Sequence, residues 1–522
     1  MGIDPMDDPK TTRRLPVAAC YAAVLAFTGF LLFYHLENHL LWGDEAETAV
    51  LARNVEHFGL PVTQDGTNYI ILHGTIDETR GHVWTWSPWL QEYLAAGSFL
   101  LFGPTTWAAR APFAFIGLVS VMGLGWVAWK IFQRHRIALA AMLLLGTSEV
   151  FLLHARQCRY YSISVWCEIL LLYAVYLLFR GNRRGVWLAG VALVLEYYSN
   201  YIIAVANVPA LLVLAWMLRK PEQRGVRRVA AILAILAAAA LPWMIYARPW
   251  RQGVVFGGED YWLKGLGYLT QIHFYFMPLC FLLLPLLGLM GKRKKTPPRA
   301  PEPSRPWERF ILILLGLYFV VIVFTPGFFL RYLLPILPAI CLVAAVWVFR
   351  YIKWPALAAA VIGLQAATNL FPLVTGFAIP GRPPLRFPVV EFVEGMATPY
   401  TNRFADVLDF FNREARPGDR VLSFDPEFPL IFYTKLKIVD GRLAGDAPMQ
   451  WPRWILPLPA SGVMSQEPAQ PPADLDARYD EITLEVHDSP LGDSYPQPGA
   501  YQYHTSEKRA PFVIYKLKQR GQ

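Results

Sequence analysis

Runs of about 17 to 25 apolar residues recur through the first three quarters of the chain, and each is long enough to cross the hydrocarbon core of a bilayer. A lone segment inside lipid satisfies its backbone hydrogen bonds only as a helix, so the pattern specifies membrane-crossing helices. The charge content agrees: 17% of the 522 residues are charged, against roughly 25% in soluble domains. The first run, about 16–36, is longer than a signal-peptide core and has no clear cleavage site, so it is expected to stay as an anchor. Residues ahead of Met6 read as an expression scar and are set aside.

Basic residues orient the runs. Lys10, Arg13 and Arg14 precede the first run and put residues 1–15 in the cytoplasm. Later clusters (Lys130/Arg134/Arg136, Arg180/Arg183/Arg184, residues 219–228, residues 292–295 and Arg350/Lys353) should also be cytoplasmic, and two apolar runs separate most neighbouring clusters. The 14 residues 89–102 are apolar but short, and a crossing there would turn every later cluster outward. They are read as a helix lying in the outer interface. Spans then fall at about 16–36, 108–130, 137–153, 162–180, 186–199, 201–218, 229–247, 267–290, 310–326, 331–350 and 354–375, eleven in all. The expected architecture is a polytopic all-α membrane domain over 16–375 followed by a small extracytoplasmic α/β domain over 376–522.

The tail carries the marks of that second domain. Residues 404–414 have helical spacing, 421–424 and 436–439 read as strands around a short helix at 428–434, and 482–486 and 512–517 could be further strands. Residues 456–475 are rich in Pro, Ala and Ser and read as loop, as does the basic, Pro-rich stretch 291–309. The chain is +9 overall, yet 376–522 holds 16 basic and 19 acidic side chains. A basic membrane part with a mildly acidic tail points away from nucleic acid. The five cysteines lie in or beside apolar runs without a CxxC pair, which suits neither a disulfide framework nor a zinc site.

The residues that suggest chemistry gather on the outer side. Asp44-Glu45 lies a few residues past the end of the first span, where adjacent carboxylates are costly and need a reason. One can act as a base or metal ligand while the other orients it. The alternative is an N-cap role for Asp44 on a helix starting near Ala46. His73, Asp77 and Glu78 follow in the same loop and could touch an acceptor or a metal. Arg110, Arg156, Arg159, Lys264 and Arg331 are cations at outer span ends, against the usual charge bias. Arg159-Tyr160 and Arg331-Tyr332 pair guanidinium groups with aromatics, a combination suited to phosphate oxygens and a lipid chain or sugar face. An acid pair and a cationic, aromatic pocket suit transfer from a lipid phosphate. The alternative for the cations is snorkelling to the interface.

These motifs resemble the GT-C glycosyltransferases, which include protein mannosyltransferases (family 39 type) and aminoarabinose lipid A transferases (family 83 type). Trp42-Gly43-Asp44-Glu45-Ala46-Glu47, then Ala52-Arg53-Asn54 and Gly59-Leu60-Pro61, look like that group's first-loop signature. Ser87-Pro88-Trp89-Leu90, Ala108-Ala109-Arg110, His154-Ala155-Arg156 and Arg331-Tyr332-Leu333-Leu334-Pro335 match later stretches, so the resemblance covers about 16–350. It implies inverting transfer from a polyprenyl-phosphate sugar to a glycolipid, polysaccharide or protein in the periplasm of a bacterial inner membrane. Asp44 would be the base, supported by Glu45, and the Arg-Tyr turns would hold the donor phosphate. A divalent metal ion is the one cofactor left open. Trp86-Ser87-Pro88 stands where aminoarabinose transferases often carry Glu-Lys-Pro, which removes an acid and a lysine. Two other classes remain: a transporter or flippase for a lipid-linked sugar, using Glu168 and Glu196, and an assembly protein recruiting partners through its outer domain.

Overall fold

The computed structural model describes residues 14–69, 78–79, 81–220, 224–251, 260–285, 304–325, 327–379, 381–399, 401–423, 427–440, 451–457, 475–488 and 507–518. Among them, six helices are long and apolar enough to cross a membrane: Pro16–Phe33, Thr106–Phe132, Tyr161–Phe179, Gly225–Ala247, Arg305–Val323 and Leu330–Tyr351. The chain is a multi-pass membrane protein. The six helices correspond to six of the eleven expected spans.

The remaining spans differ in form. His135–Gly146 and Glu149–Ala155 share one expected span but meet at a bend of 63°. Ser148 makes the break: its backbone is extended and its hydroxyl accepts from the Phe151 N–H, so a new helix starts there. Arg184–Ser199 has 16 residues, and Asn200 caps the next helix by accepting from Ile202 and Ile203 N–H. The expected span 267–290 begins within Tyr261–Gln271, continues as a π-helical turn at Ile272–Phe276, and has a 3-10 turn at Leu279–Leu283. The last expected span divides into Pro355–Ala367 and Leu370–Thr375. Most of the basic linker 291–309 lies outside the described residues, and its end belongs to the helix Ser304–Val323.

The chain separates into two compact units. One comprises residues 1–34 and 113–393 and is helical; the other comprises 35–112 and 394–522. This division does not follow the linear partition into 16–375 and 376–522. The loop after the first span joins the C-terminal domain in one body.

In that second unit, β1 (Glu78–Thr79) and β2 (Val83–Trp84) form a small hairpin. Strands β3 (Arg420–Ser423), β4 (Lys437–Asp440), β5 (Trp454–Leu456), β6 (Tyr479–His487) and β7 (Arg509–Leu517) form one mixed sheet in the order β4-β3-β5-β7-β6. β3 runs parallel to β4 and β5, and β7 runs antiparallel to β5 and β6. The helix Glu427–Tyr433 is the crossover between β3 and β4, as a parallel pair requires. Expected strands and helices in the tail overlap observed elements with bounds shifted by a few residues; β5 is an addition the sequence reading lacked.

Trp454 is fully buried against Phe410 and Phe411, with ring centroids 5.6 and 5.9 Å away. Those two rings come from Arg403–Glu414, whose first turn is capped by the Asn402 side chain on the Ala405 N–H. Asn402→Ala is expected to cost about 1 kcal/mol. Chemical denaturation of the full protein followed by tryptophan fluorescence checks this.

Candidate active site

The helix Gly43–Phe58 carries the first-loop acids. It ends at Gly59, whose φ of 75° is the left-handed conformation that glycine adopts without strain. At its start, Trp42 occupies the N-cap position, so Asp44 lies inside the first turn. The N-cap role considered for Asp44 is thereby corrected: the helix starts earlier than Ala46. In the first turn the half-buried Asp44 still meets the positive end of the helix dipole. Its backbone carbonyl accepts from the Thr48 hydroxyl at 3.1 Å.

Glu45, by contrast, has no exposure. Arg110 grips it through two hydrogen bonds, Nε to Oε1 at 2.8 Å and Nη2 to Oε2 at 2.6 Å. Arg110 also donates to the carbonyls of Leu36 (3.0 Å), His39 (2.7 Å) and Leu40 (3.1 Å). Those contacts use all five N–H donors of a guanidinium. Arg110, expected at a phosphate, thus holds Glu45 and the end of the first outer segment. Glu45 is likewise the buried partner of an ion pair, whereas Asp44 is half-buried.

Tyr433, from the crossover helix of the C-terminal sheet, braces the same region. Its hydroxyl accepts from the Leu41 N–H at 2.8 Å and sits 2.8 Å from the Thr106 hydroxyl. Burial pushes its phenol up to about 12, so it keeps its proton at working pH. The same unit is stitched by Asn38 Nδ2 donating to the Thr398 carbonyl (2.7 Å), Arg53 Nη2 to the Ile431 carbonyl (3.2 Å) and the Ile438 N–H to Asn68 Oδ1 (2.7 Å). Sequence reasoning missed Tyr433; nothing in Phe432-Tyr433-Thr434 marks it.

His73 and Asp77 lie outside the described residues. Glu78 accepts hydrogen bonds from Thr63 and Tyr69, and His82 Nδ1 lies 3.2 Å away. Its carboxylate thus organises the loop. Among the described residues, no three His, Cys, Asp or Glu side chains converge as a metal site would need.

The helical unit gathers a second constellation. Arg159 and Tyr160 are buried beside the start of Tyr161–Phe179. Arg331 and Tyr332 lie half-buried in the 3-10 turn Leu330–Ile336, which packs on that helix. That packing brings together the segments that carry the two Arg-Tyr motifs. The Arg331 guanidinium stacks 4.3 Å from the Phe329 ring centroid. His154 joins the cluster: its ring is edge-on to Tyr161 at 5.1 Å, and its Nδ1 lies 2.8 Å from the Val150 carbonyl. A carbonyl only accepts, so Nδ1 carries the proton of the neutral ring.

The turn carrying Arg331 is itself fixed by side chains. Tyr318 donates to the Tyr332 carbonyl at 2.8 Å, and Tyr268 accepts from the Phe329 N–H at 3.2 Å. Lys264 Nζ donates to the Thr325 carbonyl. Lys264, expected to contact phosphate, supports this turn. Arg156, also expected at a phosphate, makes similar contacts. It donates to the Leu31 (3.1 Å) and Tyr34 (2.8 Å) carbonyls at the end of the first span, and its guanidinium lies 5.3 Å from the Phe392 ring. A cation there completes a helix C-terminus.

Two carboxyls remain inside the helical unit. Glu168 and Glu196 are each 2% exposed, on the adjoining helices Tyr161–Phe179 and Arg184–Ser199, and Glu196 accepts from the Ser164 hydroxyl at 2.6 Å.

Comparison with known proteins follows this geometry. The family described as dolichyl-phosphate-mannose-protein mannosyltransferase matches residues 87–246. The crystal structure of ArnT from Cupriavidus metallidurans bound to undecaprenyl phosphate superposes with a TM-score of 0.52 at 16% identity, over 82% of this chain and 86% of that one. The same protein in the apo state gives 0.54 at 14% identity, over 81% and 86%. The chain shares its fold with ArnT over most of its length. Among curated proteins, none matches it in sequence. The helix Leu90–Phe102, whose Leu100, Leu101 and Phe102 are exposed, is too short to cross a membrane.

Proposed function

We propose that this protein transfers a monosaccharide from a polyprenyl-phosphate donor to a hydroxyl of a glycolipid, polysaccharide or protein. The observation that carries this reading is the cluster of Arg159, Tyr160, Arg331 and Tyr332 in a chain that shares its fold with a protein crystallised on undecaprenyl phosphate. Guanidinium groups bind phosphate oxygens bidentately, and tyrosines suit the adjoining prenyl chain or sugar. The reaction takes place on the outer face of a bacterial inner membrane. Eleven spans leave the N-terminus cytoplasmic and the C-terminal domain periplasmic.

In the chemistry, Asp44 accepts the proton of the acceptor hydroxyl while that oxygen attacks the anomeric carbon. The bond from that carbon to the phosphate oxygen breaks, inverting the centre. Polyprenyl phosphate departs with the bonding electrons, and Arg159 and Arg331 stabilise its charge. No step is assigned to a metal.

Binding of undecaprenyl phosphate to the purified protein tests the cluster. Arg331→Ala should weaken it about tenfold or more, as loss of a charge-assisted pair implies. Equal affinity for wild type and Arg331→Ala would remove the phosphate assignment.

Glu168 and Glu196 favour one second reading, a flippase, because buried acids in spans often line translocation paths. A flippase moves the intact lipid-linked sugar across a vesicle wall. The transferase instead releases polyprenyl phosphate, and thin-layer chromatography of the lipid product separates the two.

A further inference from the structure

The C-terminal domain shares one compact body with the loop that bears Asp44. Its Tyr433 hydroxyl lies between two segments of that loop. On one side it takes the N–H of Leu41, three residues before Asp44; on the other it meets Thr106, the first residue of the helix that carries Arg110. These are the two segments that the Glu45–Arg110 ion pair also joins. The hydroxyl and the ion pair therefore pin the entry to the Gly43–Phe58 helix at two points, before and within its first turn.

Other contacts from the same domain converge on the loop. The Met396 and Thr398 carbonyls receive Asn38, the Ile431 carbonyl receives Arg53, and the Phe432 ring packs 6.3 Å from Phe99 of the Leu90–Phe102 helix. The domain's crossover helix thus lies against the acid-bearing helix. A recruitment module would need none of these contacts.

We infer that Tyr433 is a positioning residue for Asp44, and that the C-terminal domain serves the transfer step by fixing the acid loop. The inference rests on the assignment of Asp44 as base. Catalytic groups must be placed within a fraction of an ångström of productive geometry, so loss of one hydrogen bond far from the reacting atoms can lower turnover. Phosphate binding belongs to other residues and should be untouched.

The test uses the full-length protein in nanodiscs, with undecaprenyl-phosphate mannose and undecaprenyl-phosphate aminoarabinose as donors and a membrane extract as acceptor. Tyr433→Phe keeps the ring and removes only the hydroxyl. The expected result is a fall in kcat of about tenfold with donor KM within about twofold of wild type. Hydrogen exchange of the 38–48 peptide should also quicken, while that of 161–179 stays constant. Thr106→Val removes the second contact and should act in the same direction, which guards against a misfolded Tyr433→Phe. A kcat within about twofold of wild type for both variants overturns the inference. So does a matched rise in KM, which would mean that the hydroxyl serves binding. Asp44→Asn, run alongside, separates the two assignments. If Asp44→Asn retains turnover, the base assignment fails and the positioning role fails with it. If Asp44→Asn is inactive and Tyr433→Phe is fully active, only the positioning role fails.

Discussion

Asp44→Asn should leave a folded protein that releases polyprenyl phosphate about 10²- to 10⁴-fold more slowly than wild type, the range expected for loss of a general base. Asparagine matches aspartate in shape and keeps a polar group in the first turn of the Gly43–Phe58 helix. The Thr48 hydroxyl bonds the backbone carbonyl of residue 44, so that contact survives. The stability change is confined to the loss of a charge near the helix N-terminus, about 0.3–1 kcal/mol. Activity and stability therefore separate cleanly at this position. Single-turnover release of polyprenyl phosphate, measured beside a thermal melt, gives both quantities. An unchanged rate constant with an unchanged melt would end the claim that Asp44 carries the proton.

Arg110→Ala has the opposite signature. It leaves Glu45, fully buried, without its bidentate partner, and frees the carbonyls of Leu36, His39 and Leu40. Breaking a buried pair from one side costs about 3–5 kcal/mol, because the remaining charge is stranded. The expected outcome is a large drop in melting temperature in detergent, with little monodisperse protein recovered. Replacing both partners, Glu45→Leu with Arg110→Met, should recover much of that loss, since a well-packed apolar pair removes the stranded charge. A single Arg110→Ala variant that melts like wild type would show that the pair adds nothing to the fold. The double variant also separates roles: restored stability with partial activity fits an anchoring Glu45, whereas restored stability with no activity returns Glu45 to the chemistry.

The comparison of these two acids shows how far sequence reasoning reaches. Asp44 and Glu45 are neighbours with the same functional group, and the sequence treats them as a pair. Helix geometry turns adjacent residues about 100° apart, so one can face a site while the other faces the core. Which one does so depends on where the helix begins, and Trp42 moved that start ahead of the position read from Ala46. The arginines divide by a similar rule. Arg110 and Arg156 satisfy backbone carbonyls at chain ends within their own units, while Arg159 and Arg331 lie on segments that pack together. All four looked alike as cations at outer span ends.

The sequence by itself determined the class of the protein. Long apolar runs admit one solution in lipid, and six of them appear as continuous helices because the bilayer allows no other way to satisfy the backbone. Period-two and period-3.6 patterns in the tail likewise located its helix at Arg403–Glu414 and its longest strands, since each pattern reports a local face. Only the tertiary structure decided that the first outer loop and the C-terminal domain form one body, through Tyr433, Arg53 and Asn68. Those contacts join residues more than 300 positions apart by single hydrogen bonds to backbone groups. A backbone N–H or carbonyl is the same at every residue, so no side-chain pattern along the chain can announce which one a distant tyrosine, arginine or asparagine will find.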